Sequence, residues 1–243
     1  MKVILLLNLF LTTVTLFGQE TFDYNNDFKK ILAKTQDSKD SLFYEKQLKR
    51  FESNDTTLTN FEVLALLIGF TAKSDYRPYQ DIDTEREVYN LNGEKNYRDG
   101  LKLGQKFIKT HPLSVKTCFE IAYSFDKLGK EDSAKYYAYQ GQRIIKAMFF
   151  SGNGKTIETP TFALGPADGQ DYIYKFVGGD IGTMGSGSDK LGNFLDILEV
   201  KFENGRTMNL YFIIQHATEK MFDGKSLKEV IKEQNKKQKK SKN

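Results

Sequence analysis

The chain is 243 residues long, 39% hydrophobic and 13% aromatic, with a formal net charge of +4, enough apolar material for one large domain or two small ones with a sizeable core. Residues 225–243 hold eight Lys and two Glu, and with Lys2 also set aside the remaining chain is near −3. A mildly acidic body with a basic tail excludes a nucleic-acid-binding domain, whose positive charge belongs on a folded face.

The first residues, MKVILLLNLFLTTVTLFGQ, place one Lys before an apolar run from Val3 to Phe17 and a small residue at Gly18. That pattern predicts a secretory signal peptide over residues 1–18, cut after Gly18. Nothing beyond Gln19 is apolar enough to span a bilayer, so the mature chain is expected to be exported, periplasmic or secreted, with no transmembrane segment. Cys118 is the single cysteine. It can form no internal disulfide, and it does not directly follow the apolar run, as an acylated lipoprotein cysteine would.

Residues 19–150 read as helical. Phe28, Ile31 and Leu32 recur at the spacing of a buried stripe, and Leu42, Phe43, Leu48 and Phe51 predict a second helix. Thr59-Asn-Phe-Glu62 has capping-box spacing and opens a third, whose Val63–Ile68 run is apolar nearly all round and so central. Pro78 ends the helical pattern. Thr84-Glu-Arg-Glu87 repeats the capping-box spacing, and helices are predicted near 84–92, 96–110, 114–128 and 130–147.

In this stretch Ala122, Phe125, Gly129, Ala134 and Gly141, with Asn96–Leu101 and His111-Pro112 before them, resemble about two tetratricopeptide repeats over residues 84–147. In such repeats small residues let antiparallel helices approach and an aromatic fills the gap between pairs. An independent solenoid needs more repeats, so the flanking segments are expected to cap these.

After Phe150 glycine becomes dense and the apolar residues alternate. Residues 151–224 predict a small antiparallel sheet. Its expected strands lie near Ile157–Leu164, at Tyr172/Tyr174/Phe176, at Leu198/Val200/Phe202 and at Met208/Leu210/Phe212/Ile214. Asn204-Gly205 joins the last two as a hairpin in which both central residues take positive φ. Residues 225–243 are predicted to finish a helix near 226–234 and end as a disordered lysine-rich tail. The fold class is α+β: a tetratricopeptide-like helical body followed by a small antiparallel β-sheet.

The GKT in Ser151-Gly-Asn-Gly-Lys-Thr-Ile-Glu-Thr-Pro160 resembles the end of a phosphate-binding loop. The glycine such a loop needs five residues before Gly154 is Phe149, and the order is helix then strand rather than strand then helix. A turn entering the sheet is the reading kept. Gly178–Gly187 does not fit GxGxxG and is expected to be a flexible connection between strands. Asp180, Asp189 and Asp196 match no calcium-loop spacing. His111, His216 and Cys118 are too few and too scattered for a zinc site, so neither metal nor cofactor is implied. Cys118, inside a repeat helix, is expected in the core.

Two candidate sites remain. The loop Ser74–Asp83 carries Tyr76, Arg77, Tyr79 and Asp81, residue types that suit a binding surface, although its tyrosines would equally pack the junction it spans. Asp180, Asp189 and His216 would form an acid–base set if the fold brought them together.

The phrases Phe43-Tyr44, Leu48-Lys-Arg-Phe51, Asp55-Thr-Thr-Leu-Thr59, Gly69-Phe70, Asp75-Tyr-Arg-Pro-Tyr79, Gly152-Asn-Gly-Lys-Thr156 and Glu158-Thr-Pro-Thr-Phe162, in this order, resemble an exported Bacteroidota family known as domain of unknown function 4919, over about residues 24–215. The chain departs from that family's tyrosine-rich pattern at Leu66-Leu-Ile68. The resemblance implies compartment and fold, with no activity to carry over. The functional expectation is a non-enzymatic scaffold of the cell envelope that binds a protein or peptide partner and no nucleic acid. The alternative is a hydrolase-like enzyme or small-ligand binder with its site between the helices and the glycine-rich loop.

Overall fold

A computed structural model describes residues 22–222 and, beyond them, Lys232 alone. The predicted signal peptide, the helix near 226–234 and the lysine tail lie outside the described residues. Among those residues no helix is long and apolar enough to cross a membrane.

The chain is α+β. Helices α1 (Tyr24–Gln36), α2 (Tyr44–Glu52) and α3 (Asn60–Phe70) come first, then two antiparallel helix pairs: α4 (Asp81–Gly93) with α5 (Tyr97–Ile108), and α6 (Val115–Lys127) with α7 (Glu131–Ser151). A sheet built from β1 (Thr161–Phe162), β2 (Asp180–Ser188), β3 (Phe194–Lys201) and β4 (Thr207–Ile213) follows. It is interrupted by α8 (Asp168–Tyr172) and closed by α9 (Gln215–Met221).

The predicted capping box at α3 forms: Thr59 Oγ1 accepts from the Glu62 N–H at 3.2 Å, and Glu62 Oε2 accepts from the Thr59 N–H at 2.8 Å. Val63 through Phe70 are all buried, so α3 is the central helix against which α1, α2 and α7 pack. The same spacing at Thr84 is not used. Helix α4 already begins at Asp81 and has no side-chain cap. In the repeat-like pairs the small residues do what the pattern implies: a methyl group placed on Gly141 would lie 2.9 Å from the Phe119 ring, so α6 and α7 touch there through a bare backbone.

The sheet order is β1-β4-β3-β2. Three strands are antiparallel, but β1 runs parallel to β4, through Thr161↔Phe212 and Phe162↔Ile213, so the sheet is mixed. Parallel pairing follows from the long crossover between β1 and β4, which holds α8 and the outer hairpin. Leu198 pairs with Leu210 and Val200 with Met208, as the alternation implied. The Asn204-Gly205 hairpin is present with a different turn. Only Gly205 has positive φ (78°), and its N–H donates to the Phe202 carbonyl at 2.9 Å, giving a four-residue turn closed by a left-handed glycine.

Two further expectations are corrected. Tyr172, Tyr174 and Phe176 lie on no strand. Residues 168–172 are helical and Ile173–Val177 continue as a π-helical turn, ended by Gly178 in the left-handed region. Burial here is consecutive rather than alternating: Asp171, Tyr172 and Ile173 are inside and Tyr174, Lys175 and Phe176 outside. Gly178–Gly187 is no loose connection either, because Asp180–Ser188 form β2, paired with β3 on both sides of a bulge at 182–183.

Candidate functional site

The loop before α4 is a junction more than a surface. Tyr76 is 1% exposed, and its hydroxyl donates to the Leu164 carbonyl at 2.6 Å. Tyr79 is half-buried and Arg77 exposed. The Asp81 carboxylate accepts from the Arg77 N–H at 3.1 Å and lies 3.2 Å from His111 Nε2.

Asp180, Asp189 and His216 are not brought together. Asp180 begins β2 and Asp189 follows its end, about 30 Å apart at the rise of an extended strand. Asp189 is committed to its own turn, accepting from the N–H groups of Leu191 and Asn193 and from the Asn193 amide. His216 is buried in α9, stacked on Phe162, Phe28 and Tyr76. Burial holds its pKa down at about 3, against weaker help from the carbonyls of Ala163 and Leu164, so it is neutral.

A group that sequence reasoning missed lies between α4, α6 and α8. Ser114 Oγ donates to Glu85 Oε1 at 2.5 Å, and Asp168 accepts from the Gly165 N–H at 2.9 Å. Asp171 pairs with Lys116 at 3.3 Å. Burial raises Glu85 to about 8 and Asp168 to about 7, and it raises Asp171 against the pull of Lys116. At His111 burial is outweighed by the Asp81 hydrogen bond and charge, so its pKa is raised. Glu85, Asp168, Asp81, His111 and Ser114 line a cavity of about 30 Å³. That volume admits one or two waters and no substrate. The cluster holds protons inside the fold. Of its residues Asp81 was a candidate in sequence and His111 a scattered histidine, while Glu85 lies one turn on in α4, Ser114 caps α6 and Asp168 opens α8.

The space for a ligand is elsewhere. A cleft of about 860 Å³ opens where the N-terminus of α1, the C-terminus of α7, the 152–160 turn and the 189–191 turn meet. It falls within the range of small-molecule sites. Its apolar lining is Phe22, Tyr24, Phe149, Phe150, Ile157, Pro160, Leu191 and Ile213. Asn60, Asn153, Thr159 and the Glu158–Lys190 ion pair (3.0 Å) stand among them.

The GKT phrase builds one wall. Gly152 leaves α7 so close to Pro160 that a methyl group would meet the Pro160 carbonyl oxygen. Gly154, at φ 66°, donates its N–H to the Thr159 carbonyl at 2.8 Å and accepts from the Tyr211 N–H at 2.8 Å. The phrase is thus a tight turn docked on β4, with Lys155 pointing into solvent. Asp189 and the turn after β2 form the opposite rim, held to α1 by the Asn193 amide donating to Asn25 Oδ1 at 2.7 Å.

A family model described as domain of unknown function (DUF4919) matches residues 29–222. No curated protein and no solved structure matches the chain.

Proposed function

The chain belongs to the domain of unknown function 4919 family, and we propose that it is an exported, non-catalytic binding protein whose ligand is a small amphipathic molecule held in the cleft between the helical body and the sheet. The observation that carries the reading is the cleft itself, about 860 Å³ of mostly apolar lining with a polar rim. Binding is favoured over reaction because its acids are already employed. Asp23 caps α1 by accepting from the Asn26 N–H, Asp189 holds its own turn, and Glu158 pairs with Lys190.

The test is a heat-shift screen of amphipathic small molecules against the purified protein, repeated on Phe149→Ser and Ile157→Asp. Phe149 is half-exposed and Ile157 partly so, and both variants should fold. A ligand that raises the Tm of the parent and of neither variant supports the cleft. Ligands that stabilise all three equally would place binding elsewhere. Export is tested by N-terminal sequencing of the protein recovered outside the cytoplasm, which should begin at Gln19.

A scaffold reading keeps one specific support. Tyr89, Tyr97 and Tyr123, with Asn92, Glu120 and Lys175, line a hollow of about 310 Å³ on the repeat-like pairs, and Tyr89 and Tyr123 are exposed. Exposed tyrosines in a concave helical surface suit a peptide partner. In-cell crosslinking that captures one envelope protein, and loses it on Tyr89→Ala with Tyr123→Ala, would favour that reading.

A further inference from the structure

β2 is the outer strand of the sheet, paired with β3 on one side and with no strand on the other among the described residues. Its register decides which backbone groups face outward. The Asp189 N–H donates to the Asn193 carbonyl at 3.0 Å, one step beyond the pair Ser188↔Phe194. Hydrogen-bonded and non-bonded pairs alternate along an antiparallel ladder. Gly187 and Gly185 therefore bond to β3, while Met184, Ser186 and Ser188 turn their N–H and C=O groups away from it. Before them a bulge interrupts the ladder, and the Thr183 N–H is taken by Glu199 Oε2 at 2.9 Å.

Such an edge is normally blunted by a charge, a proline or a covering segment. Between Asp180 and Asp189 this strand has neither charge nor proline, and Met184, Ser186 and Ser188 are exposed.

We propose that this edge pairs with the same edge of a second copy, antiparallel and centred on Ser186, to give a two-fold symmetric dimer with one continuous sheet. The outward row is self-complementary. Ser186 falls opposite itself and Met184 opposite Ser188, so every outward N–H and C=O from 184 to 188 meets its counterpart. The turn at 189–192 on one flank and the bulge at 182–183 on the other confine the pairing to residues 184–188. Such an isologous contact is the commonest kind in homodimers.

The experiment combines sedimentation of the purified protein with cysteine placement. Ser186→Cys should crosslink into a covalent dimer under mild oxidation, because the two thiols face each other across the symmetry axis. The native Cys118 is buried and takes no part. Ser188→Cys should not crosslink, since its thiols would lie about 13 Å apart, four strand steps. Ser186→Pro should leave the circular dichroism unchanged, its N–H being outside the β3 ladder, and should abolish the dimer. A protein that sediments as a monomer at every concentration would overturn the proposal, even if it captured an extended peptide. So would a dimer that survives Ser186→Pro, or equal crosslinking by the two cysteine variants.

Discussion

His216 lies flat on Phe162, ring centroids 4.5 Å apart and planes 7° from parallel, so α9 is pinned to the short parallel strand by an aromatic stack. Its Nδ1 is 3.4 Å from the Tyr24 hydroxyl, and among the described residues its Nε2 has no hydrogen-bond partner. A buried imidazole in that setting must stay neutral.

Burial lowers His216 from an ordinary 6.5 to about 3. Between those values the unfolded chain takes up a proton that the folded chain refuses, so the contribution is complete above pH 6.5 and is lost as pH falls toward 3. Tm should drop on acidification through this window. In His216→Phe, which keeps the stack, that part of the acid dependence should vanish. An unchanged acid limb in the variant would assign it to other groups.

Glu85 works in the opposite direction. Its carboxyl is raised from 4.5 to about 8, first by burial and then by the nearby charge of Asp168, against the opposing Ser114 hydrogen bond and the Lys116 charge. Above pH 4.5 the unfolded chain releases a proton that the folded chain keeps. Stability from this group is therefore full below 4.5 and declines as pH rises to about 8. Asp168 adds the same sign up to about 7. Glu85→Gln, which can still accept from Ser114, should flatten urea-derived stability between pH 5 and 8. A variant with the wild-type slope would show that Glu85 titrates normally.

Tyr76→Phe should cost about 1–3 kcal/mol, because it leaves the Leu164 carbonyl without its side-chain donor inside the fold. Its effect on cleft binding should be nil, since Tyr76 does not line the cleft. Ligand affinity measured beside urea denaturation separates the two, and a loss of affinity would return the 74–83 loop to the list of binding elements.

How much of this could be read from sequence depended on whether the signal was local. Thr59 and Glu62 are three residues apart and form the cap their spacing implied, and Asn204-Gly205 turns a hairpin between strands whose alternation is real. Ile173–Val177 misled because Tyr174 and Phe176 are about half exposed, so the alternation of aromatics with Tyr172 marked no buried face. β2 escaped because an outer strand open on both faces has no apolar side to alternate. The buried acids and the cleft escaped for another reason. Glu85, Ser114 and Asp168 meet across three helical segments, and Phe22, Phe149, Ile157 and Leu191 converge from four parts of the chain. Neither convergence leaves a spacing to find.

Two glycines in the repeat-like region should respond to alanine in opposite senses. Gly93 closes α4, and a methyl group there would have nothing within 4 Å. Gly93→Ala should stabilise by a few tenths to about 1 kcal/mol, through a more restricted unfolded chain and better helix propensity. Gly141 sits inside α7 with the same propensity deficit, yet its added methyl would press on Phe119 at 2.9 Å. That ring is part of the α6–α7 contact, so relief means moving either the ring or the helix, at about 1–3 kcal/mol. Packing should outweigh propensity, leaving Gly141→Ala destabilised in thermal and urea unfolding. If both variants were stabilised, α6 and α7 would not approach closely at Gly141, and the likeness to tetratricopeptide packing at that point would be one of sequence alone.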